Sequence, residues 1–389
     1  MSAFTRILIG RAARNAVYGA FSVVFALVLA HRGYSSLMIG VVLSIALLAG
    51  AVFSLATGKL VIRFGRRRVV AGAGLVMGIS GALFAWSGPA WISVIAVLLG
   101  TVSAGTQEVG PFSAVEQTYV AEYERGAASA KFFTIYNLVG ASAIAIGALL
   151  AGFVGVTVSL WAYAVVGFGM AALYLGLPAN DPVLPAARPA AAFAPAPPRF
   201  GIVERLTALF GVDALAGGFV VQSFVAYWFH LRFGVDEHVL GPLFFGTNVL
   251  AALSLLAAAP LAARFGLLRT MVFSHLPSNV LLALVPLMPT FPLAAIVLLA
   301  RFALSQMDVP TRQAYTMVLV APADRARAAG LTSAVRPAAA SVAPILSGLA
   351  LQGAAIGLPF FLAGGIKVIY DIVIFAAFRR VPLPTEPPG

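Results

Sequence analysis

Cysteine is absent from all 389 residues, which removes disulfides and thiolate-bound metals from consideration. Charge is scarce as well. Only 10% of residues are Asp, Glu, Lys or Arg, where a soluble domain carries roughly a quarter. A water-soluble globular protein is thereby excluded. The 4 histidines form no His-x-x-x-His pair. There is no paired-aspartate metal pattern, no Walker loop and no Ser-His-Asp arrangement. Neither an enzyme nor a cofactor is expected. Without an ATPase domain, the chain by itself is not expected to drive primary active transport.

What fills the chain is apolar surface, with 61% hydrophobic residues and a mean hydropathy of +0.99. Long unbroken apolar segments without two-residue alternation exclude a transmembrane β-barrel. They define an all-α polytopic membrane protein. Arg6, Arg11 and Arg14 precede the first apolar run, but no small-residue cleavage site follows, so a secreted product is not expected. Breaking the runs at Gly, Pro and charge clusters predicts twelve spans: 8–30, 37–61, 69–87, 91–119, 128–153 and 157–177, then 206–231, 239–263, 268–288, 292–320, 326–351 and 355–378. Seven prolines between Pro178 and Pro198 read as an extended linker. The expected organisation is a six-helix bundle over 1–177, a Pro/Ala-rich linker over 178–205, a second six-helix bundle over 206–378 and a tail over 379–389.

A formal charge of +12 raises the question of nucleic acid, and the distribution of the basic residues answers it. With the N-terminus inside, cytoplasmic segments hold nineteen of the 25, and only Arg32 and Arg232 fall outside. The excess is therefore topological, both termini are expected in the cytoplasm, and nucleic acid drops out. The expected location is the inner (plasma) membrane, with the lipid bilayer as surroundings and a monomer as the working unit.

A weak repeat appears at a shift near 200. Gly33 and Gly40 recur as Gly234 and Gly241, and Arg63-Phe64-Gly65 recurs as Arg264-Phe265-Gly266, all 201 residues on. Glu124-Arg125 returns as Asp324-Arg325, and Glu108-Val109 as Asp308-Val309, at a shift of 200. Two parallel pseudo-symmetric halves follow, with a solute site expected near the membrane midplane.

The stretch GKLVIRFGRRR, Gly58 to Arg68, resembles the signature Gly-x-Leu-x-Asp-Arg-x-Gly-Arg-Arg/Lys of the major facilitator superfamily (MFS). Gly58, Leu60, Arg63, Gly65, Arg66 and Arg67 match; Ile62 stands where the family has its acidic residue. The second copy, Leu261 to Arg269, is degenerate. With twelve spans, a central linker and the repeat, the resemblance covers nearly the whole chain. It implies the MFS fold and secondary transport by alternating access. It also implies a cytoplasmic gate at Gly58, Arg63, Gly65, Arg66 and Arg67. Because Ile62 cannot supply the family's charge contact, Glu124, Arg125, Asp324, Arg325 and Arg336 are candidate gate residues as well.

By the same resemblance, the first, fourth, seventh and tenth spans line the cavity. Arg301, Ser305, Asp308, Arg312 and Tyr315 share one face of the tenth. Ionisable groups at membrane depth are costly unless they face protein or a watery cavity. Glu108 and Asp308, at matching places in the repeat, are candidate proton carriers, with Glu116 and Asp213 beside them. Candidate solute contacts are Arg14, Asn15, Tyr18, Gln107, Phe112, Gln222, Tyr227, Arg301, Arg312 and Tyr315. Lys367 and Asp371, one turn apart, read as a local ion pair, and His275 as a hydrogen-bonding partner for a neighbouring helix residue. The function expected is movement of a small solute or drug in exchange for protons, as in efflux. The alternative is a uniporter or exchanger of an anionic metabolite or inorganic ion that uses the cavity arginines.

Overall fold

Helix follows helix through this computed structural model, which describes residues 2–86, 89–99, 111–123, 127–178, 201–320 and 324–381. In chain order they are α1 (Ala3–His31), α2 (Ser36–Phe64), α3 (Arg66–Ala85), α4 (Ala90–Leu98), α5 (Pro111–Tyr123), α6 (Ala127–Leu175), α7 (Ile202–Gly218) and α8 (Gln222–Phe233). Then come α9 (Glu237–Phe265), α10 (Leu267–Leu284), α11 (Phe291–Leu304), α12 (Asp308–Leu319), α13 (Arg325–Ala340), α14 (Ala343–Gln352) and α15 (Leu358–Phe378). Ten helical stretches among the described residues are long and apolar enough to cross a membrane. One of them, Phe132–Leu175, is a pair of helices joined at Gly155, whose φ of 74° is not helical. That joint falls between the expected fifth and sixth spans. Large apolar side chains such as Phe153, 73% exposed, and Leu256, 74% exposed, point outward. In water such a surface would aggregate; in hydrocarbon it is ordinary.

Several helices carry a proline in their first turn, two of them just after a break in a long span. The expected tenth span divides at 305–307 into α11 and α12, just ahead of Pro310, rather than at Pro310 itself. Proline has no N–H and its ring clashes with the carbonyl four residues back, so it is tolerated in a helix's first turn, where that N–H has no partner anyway. Pro310 in α12, Pro344 in α14 and Pro111 at the start of α5 all sit there. The expected seventh span breaks as well, between Gly218 and Gln222.

The repeat is visible in the backbone. Gly65 and Gly266 link α2 to α3 and α9 to α10 with φ/ψ of 80°/152° and 85°/157°. That region is essentially closed to side chains with a Cβ. Gly33 and Gly234 match at φ 81° and 69°. A third pair, Gly155 and Ala354 at φ 74° and 61°, extends the correspondence to turns where no shared residue type signals it.

The helices assemble into two compact units that do not simply follow chain order. The first comprises Met1–Ala186, Val221–Asn248 and Pro344–Gly353. Here α1 and α3 lie along α6, and Gly147 of α6 lets the Ala16 backbone of α1 approach to a distance no Cβ would allow. The segments from later in the chain are tied in by comparable means. Gly40 of α2 packs on the backbone of Pro344 and Gly348 in α14. Gln222 donates to Ser22 Oγ at 2.7 Å, and the Ser223 hydroxyl to the Ser22 carbonyl at 2.9 Å. The second unit comprises Ala187–Val220, Val249–Ala343 and Ala354–Gly389. In it α7 packs on α13 and α15, and α10 on α11, α12 and α15. Val203, Leu206, Phe210, Met271, Tyr315 and Phe378 belong to one apolar cluster there.

Candidate functional site

Each unit buries charge, and the two do so differently. In the first, Arg14 of α1 is fully buried and meets Glu116 of α5, which is 1% exposed. Arg14 Nη1 bonds Glu116 Oε1, and Nη2 bonds Oε2 at 3.0 Å. Two phenols complete the carboxylate: Tyr136 donates to Oε2 at 2.8 Å and Tyr174 donates to Oε1. The Phe112 ring lies 4.7 Å from the guanidinium carbon. Glu116 thus accepts four charge-assisted bonds, a saturated shell for a carboxylate. Arg11 of α1 donates from Nε to the Tyr136 carbonyl at 2.6 Å.

The other candidate solute contacts in the first unit are dispersed. Tyr18 stacks on Tyr163 with centroids 5.9 Å apart inside the apolar core. Asn15 is 1% exposed, and both polar atoms of its amide lack a hydrogen-bond partner. Gln222 is taken up by Ser22, as above, and the Tyr227 hydroxyl lies 2.9 Å from Ser36 Oγ. Gln107, Glu108, Glu124 and Arg125 lie outside the residues whose placement is described, as does the Arg325 side chain.

In the second unit, Asp213 of α7, 3% exposed, gathers cations from three other helices. Lys367 of α15 bonds Oδ1, while Arg312 of α12 and Arg336 of α13 each reach Oδ2 at 3.1 Å. Arg312 Nη1 also donates to Asp308 at 2.9 Å, so a single guanidinium nitrogen serves two carboxylates. His275 of α10 extends the cluster. Its Nε2 is 3.9 Å from Asp213, its Nδ1 is 2.9 Å from Asp371 Oδ1, and Asn279 donates to Asp371 Oδ2 at 2.9 Å. The expected Lys367–Asp371 pair is not formed. Lys367 bonds Asp213 of α7 instead, and Asp371 is held by His275 and Asn279 of α10. Tyr315 packs against Phe378 in the apolar cluster.

Arg301 of α11 stands apart. It is half-buried, with its guanidinium carbon 4.5 Å from the Phe302 ring centre, and its buried Nε has no hydrogen-bond partner. Asp308 and Asp213 form their ion pairs with other cations and none with Arg301.

The proposed gate residues are placed mainly by packing. Arg66 is buried, donates to the Thr118 hydroxyl at 3.1 Å and lies 4.4 Å over the Tyr119 ring. Arg63 sits 5.2 Å over Phe64, and its repeat counterpart Arg264 sits 5.3 Å over Phe265. Gly58 faces open space, Arg67 is half-buried, and Ile62 is 75% exposed. Asp324 is exposed. Sequence reasoning missed the joining of Lys367, His275 and Asp213 into one cluster. The available signal was that each is a polar group in an otherwise apolar span.

Apolar helices with an outward-facing hydrocarbon surface and charge networks held inside define a polytopic membrane protein. Residues 7–232 match the Major Facilitator Superfamily, and the chain belongs to that family. An uncharacterized membrane protein of Saccharomyces cerevisiae is 24% identical over 362 residues, covering 82% of this chain and 81% of that protein. Among solved structures, the nucleoside transporter NupG superposes with a TM-score of 0.76 at 15% identity, covering 97% of this chain and 100% of that one. The xylose transporter XylE from E. coli, in an inward-open conformation, gives 0.71 at 15%, covering 98% and 97%. At such identities the likeness is one of fold.

Proposed function

We propose that this protein is a proton-coupled secondary transporter of a small solute, working by alternating access from the inner (plasma) membrane with both termini cytoplasmic. The observation that carries the reading is the sharing of Arg312 between Asp308 and Asp213. A proton carrier must be able to lose its charge without stranding its neighbours. If Asp308 takes a proton, Arg312 still has Asp213. If Asp213 took it, Arg312 would keep Asp308, but Arg336 and Lys367 would both lose their carboxylate, at the cost of leaving two charges unpaired. Glu116 would likewise give up the charge that holds two donors of buried Arg14. Of the described candidates, Asp308 is therefore the residue that exchanges the proton, and Glu108 is its counterpart by the repeat.

The sense of coupling follows from the charge of the solute. A solute that displaces the proton from Asp308 gives exchange, the sense expected from sequence. A solute that draws on the same arginines as Asp308 favours its protonation and gives cotransport, because binding linkage is reciprocal. The test is proteoliposome uptake under an imposed pH gradient, compared with solute-for-solute exchange. Asp308→Asn should keep the exchange and lose gradient-driven accumulation. If the variant accumulates solute as the parent does, Asp308 does not carry the proton.

A further inference from the structure

Resting on that transport reading, we infer that the second unit binds a small organic anion, received by Arg301. The inference begins from charge. Among the described residues of this unit, the cations that are buried or half-buried are four (Arg301, Arg312, Arg336, Lys367) and the buried carboxylates three (Asp213, Asp308, Asp371), while half-buried Glu204 pairs with exposed Arg327. Three of the four cations bond Asp213, and Arg312 also bonds Asp308. Asp371 is occupied by His275 and Asn279. Arg301 is the cation left over, and a protonated His275 would only add to the surplus.

An unpaired guanidinium within a membrane span is expensive unless something answers it. Here the residue is half-buried, its guanidinium lies beside the Phe302 ring and its buried Nε is left without an acceptor. A guanidinium keeps its charge at any physiological pH and presents a planar fork that matches a carboxylate or a phosphate. The ligand chemistry this calls for is one oxyanion group on a small molecule, with an apolar or aromatic portion to lie beside Phe302. Such an anion competes with Asp308 for the local positive field, so its arrival favours the protonated carboxylate. That turns the coupling from exchange to cotransport of anion and proton.

Binding is tested on the full-length protein in detergent, separately from transport, by thermal unfolding against sodium benzoate, inorganic phosphate and the uncharged control benzamide. The expected result is a saturable rise in melting temperature with benzoate, phosphate or both, and none with benzamide. Benzoate alone assigns the site to carboxylates, and phosphate alone to phosphoryl compounds. Arg301→Gln should weaken the anion effect by about tenfold or more, with Arg301→Lys in between. Asp308→Asn, which frees Arg312 from one carboxylate, should strengthen it. Absence of anion stabilisation in the parent overturns the inference, as does an effect that survives Arg301→Gln in full. Anion binding without any transport would instead sink the transport reading and leave this site standing.

Discussion

Removing the Glu116 charge should be among the most damaging conservative changes available to this protein, and the structure gives the reason. Glu116 is 1% exposed and takes two bonds from Arg14, which has no exposure at all. In Glu116→Gln the volume is kept and one oxygen remains, but buried Arg14 loses the carboxylate that takes two of its donors. Stranding one partner of a buried pair costs about 3–5 kcal/mol. Tyr136 and Tyr174 lose their ionised acceptor in the same step. Replacing both partners together, Arg14→Met with Glu116→Leu, removes both charges and should recover most of the loss, since apolar substitutes for a buried pair are often neutral. Denaturant unfolding of purified protein in micelles, followed through its 4 tryptophans, measures the single and double variants. The reasoning fails if Glu116→Gln costs less than about 1 kcal/mol, or if the double variant loses the sum of the singles. Where the single variant still folds, proton-driven transport should persist, because Glu116 acts here as a structural partner of Arg14.

In the second unit, Asp213→Asn leaves three cations without their shared anion and should cost about 3–5 kcal/mol. Lys367→Met, which leaves Asp213 two arginines, should cost about 1.5–3 kcal/mol, and adding it to Asp213→Asn should restore part of the loss in the same unfolding assay. Gly65→Ala and Gly266→Ala each force a side chain into a backbone region suited to glycine, so each should destabilise by about 1–3 kcal/mol. Ala354→Gly at φ 61° should do the reverse, raising stability by up to about 1 kcal/mol; a loss there would show that Ala354 contributes by packing. Gly40→Val places a branched side chain against the Pro344 backbone and should lower the melting temperature more than Gly58→Val, which meets open space.

How much of this was legible in the chain depends on the range of the interaction concerned. Span positions follow from local hydrophobicity, so the joint at Gly155 fell where the apolar runs were divided. The Arg-Phe-Gly repeat was legible because a φ near 80° at Gly65 and Gly266 restricts the residue type that can stand there. The Gly155–Ala354 correspondence was not, since the two share a positive φ but not a residue type. Breaks inside spans were legible only to within a turn. Proline announces that a helix cannot continue through it, but the chain places Pro310 inside the new first turn and breaks earlier. Pairings among buried charges were the least legible. A spacing of four residues suggested Lys367 with Asp371, yet a buried ion is held by whatever fills most of its hydrogen-bonding shell, and the better partners lay on α7 and α10, far away in sequence.

That same rule separates the two carboxylates that sequence position alone made equivalent. Glu116 and Asp308 each lie within an apolar span and each meets an arginine, so both qualified as proton carriers. Their shells are unlike. Four donors converge on Glu116, two from Arg14 and one each from Tyr136 and Tyr174. Asp308 has a single ion-pair partner nitrogen, which already holds a second carboxylate. A group enclosed by its own donors can change charge only by breaking that enclosure, which makes it a good structural element and a poor carrier. A group whose counter-ion has an alternative can give up its charge at small cost. On that criterion the difference in rate between Asp308→Asn and Glu116→Gln in proton-driven uptake, corrected for folded protein, is the direct measure: the first should abolish it and the second should not. Equal loss in both would mean that sharing of Arg312 has no part in coupling.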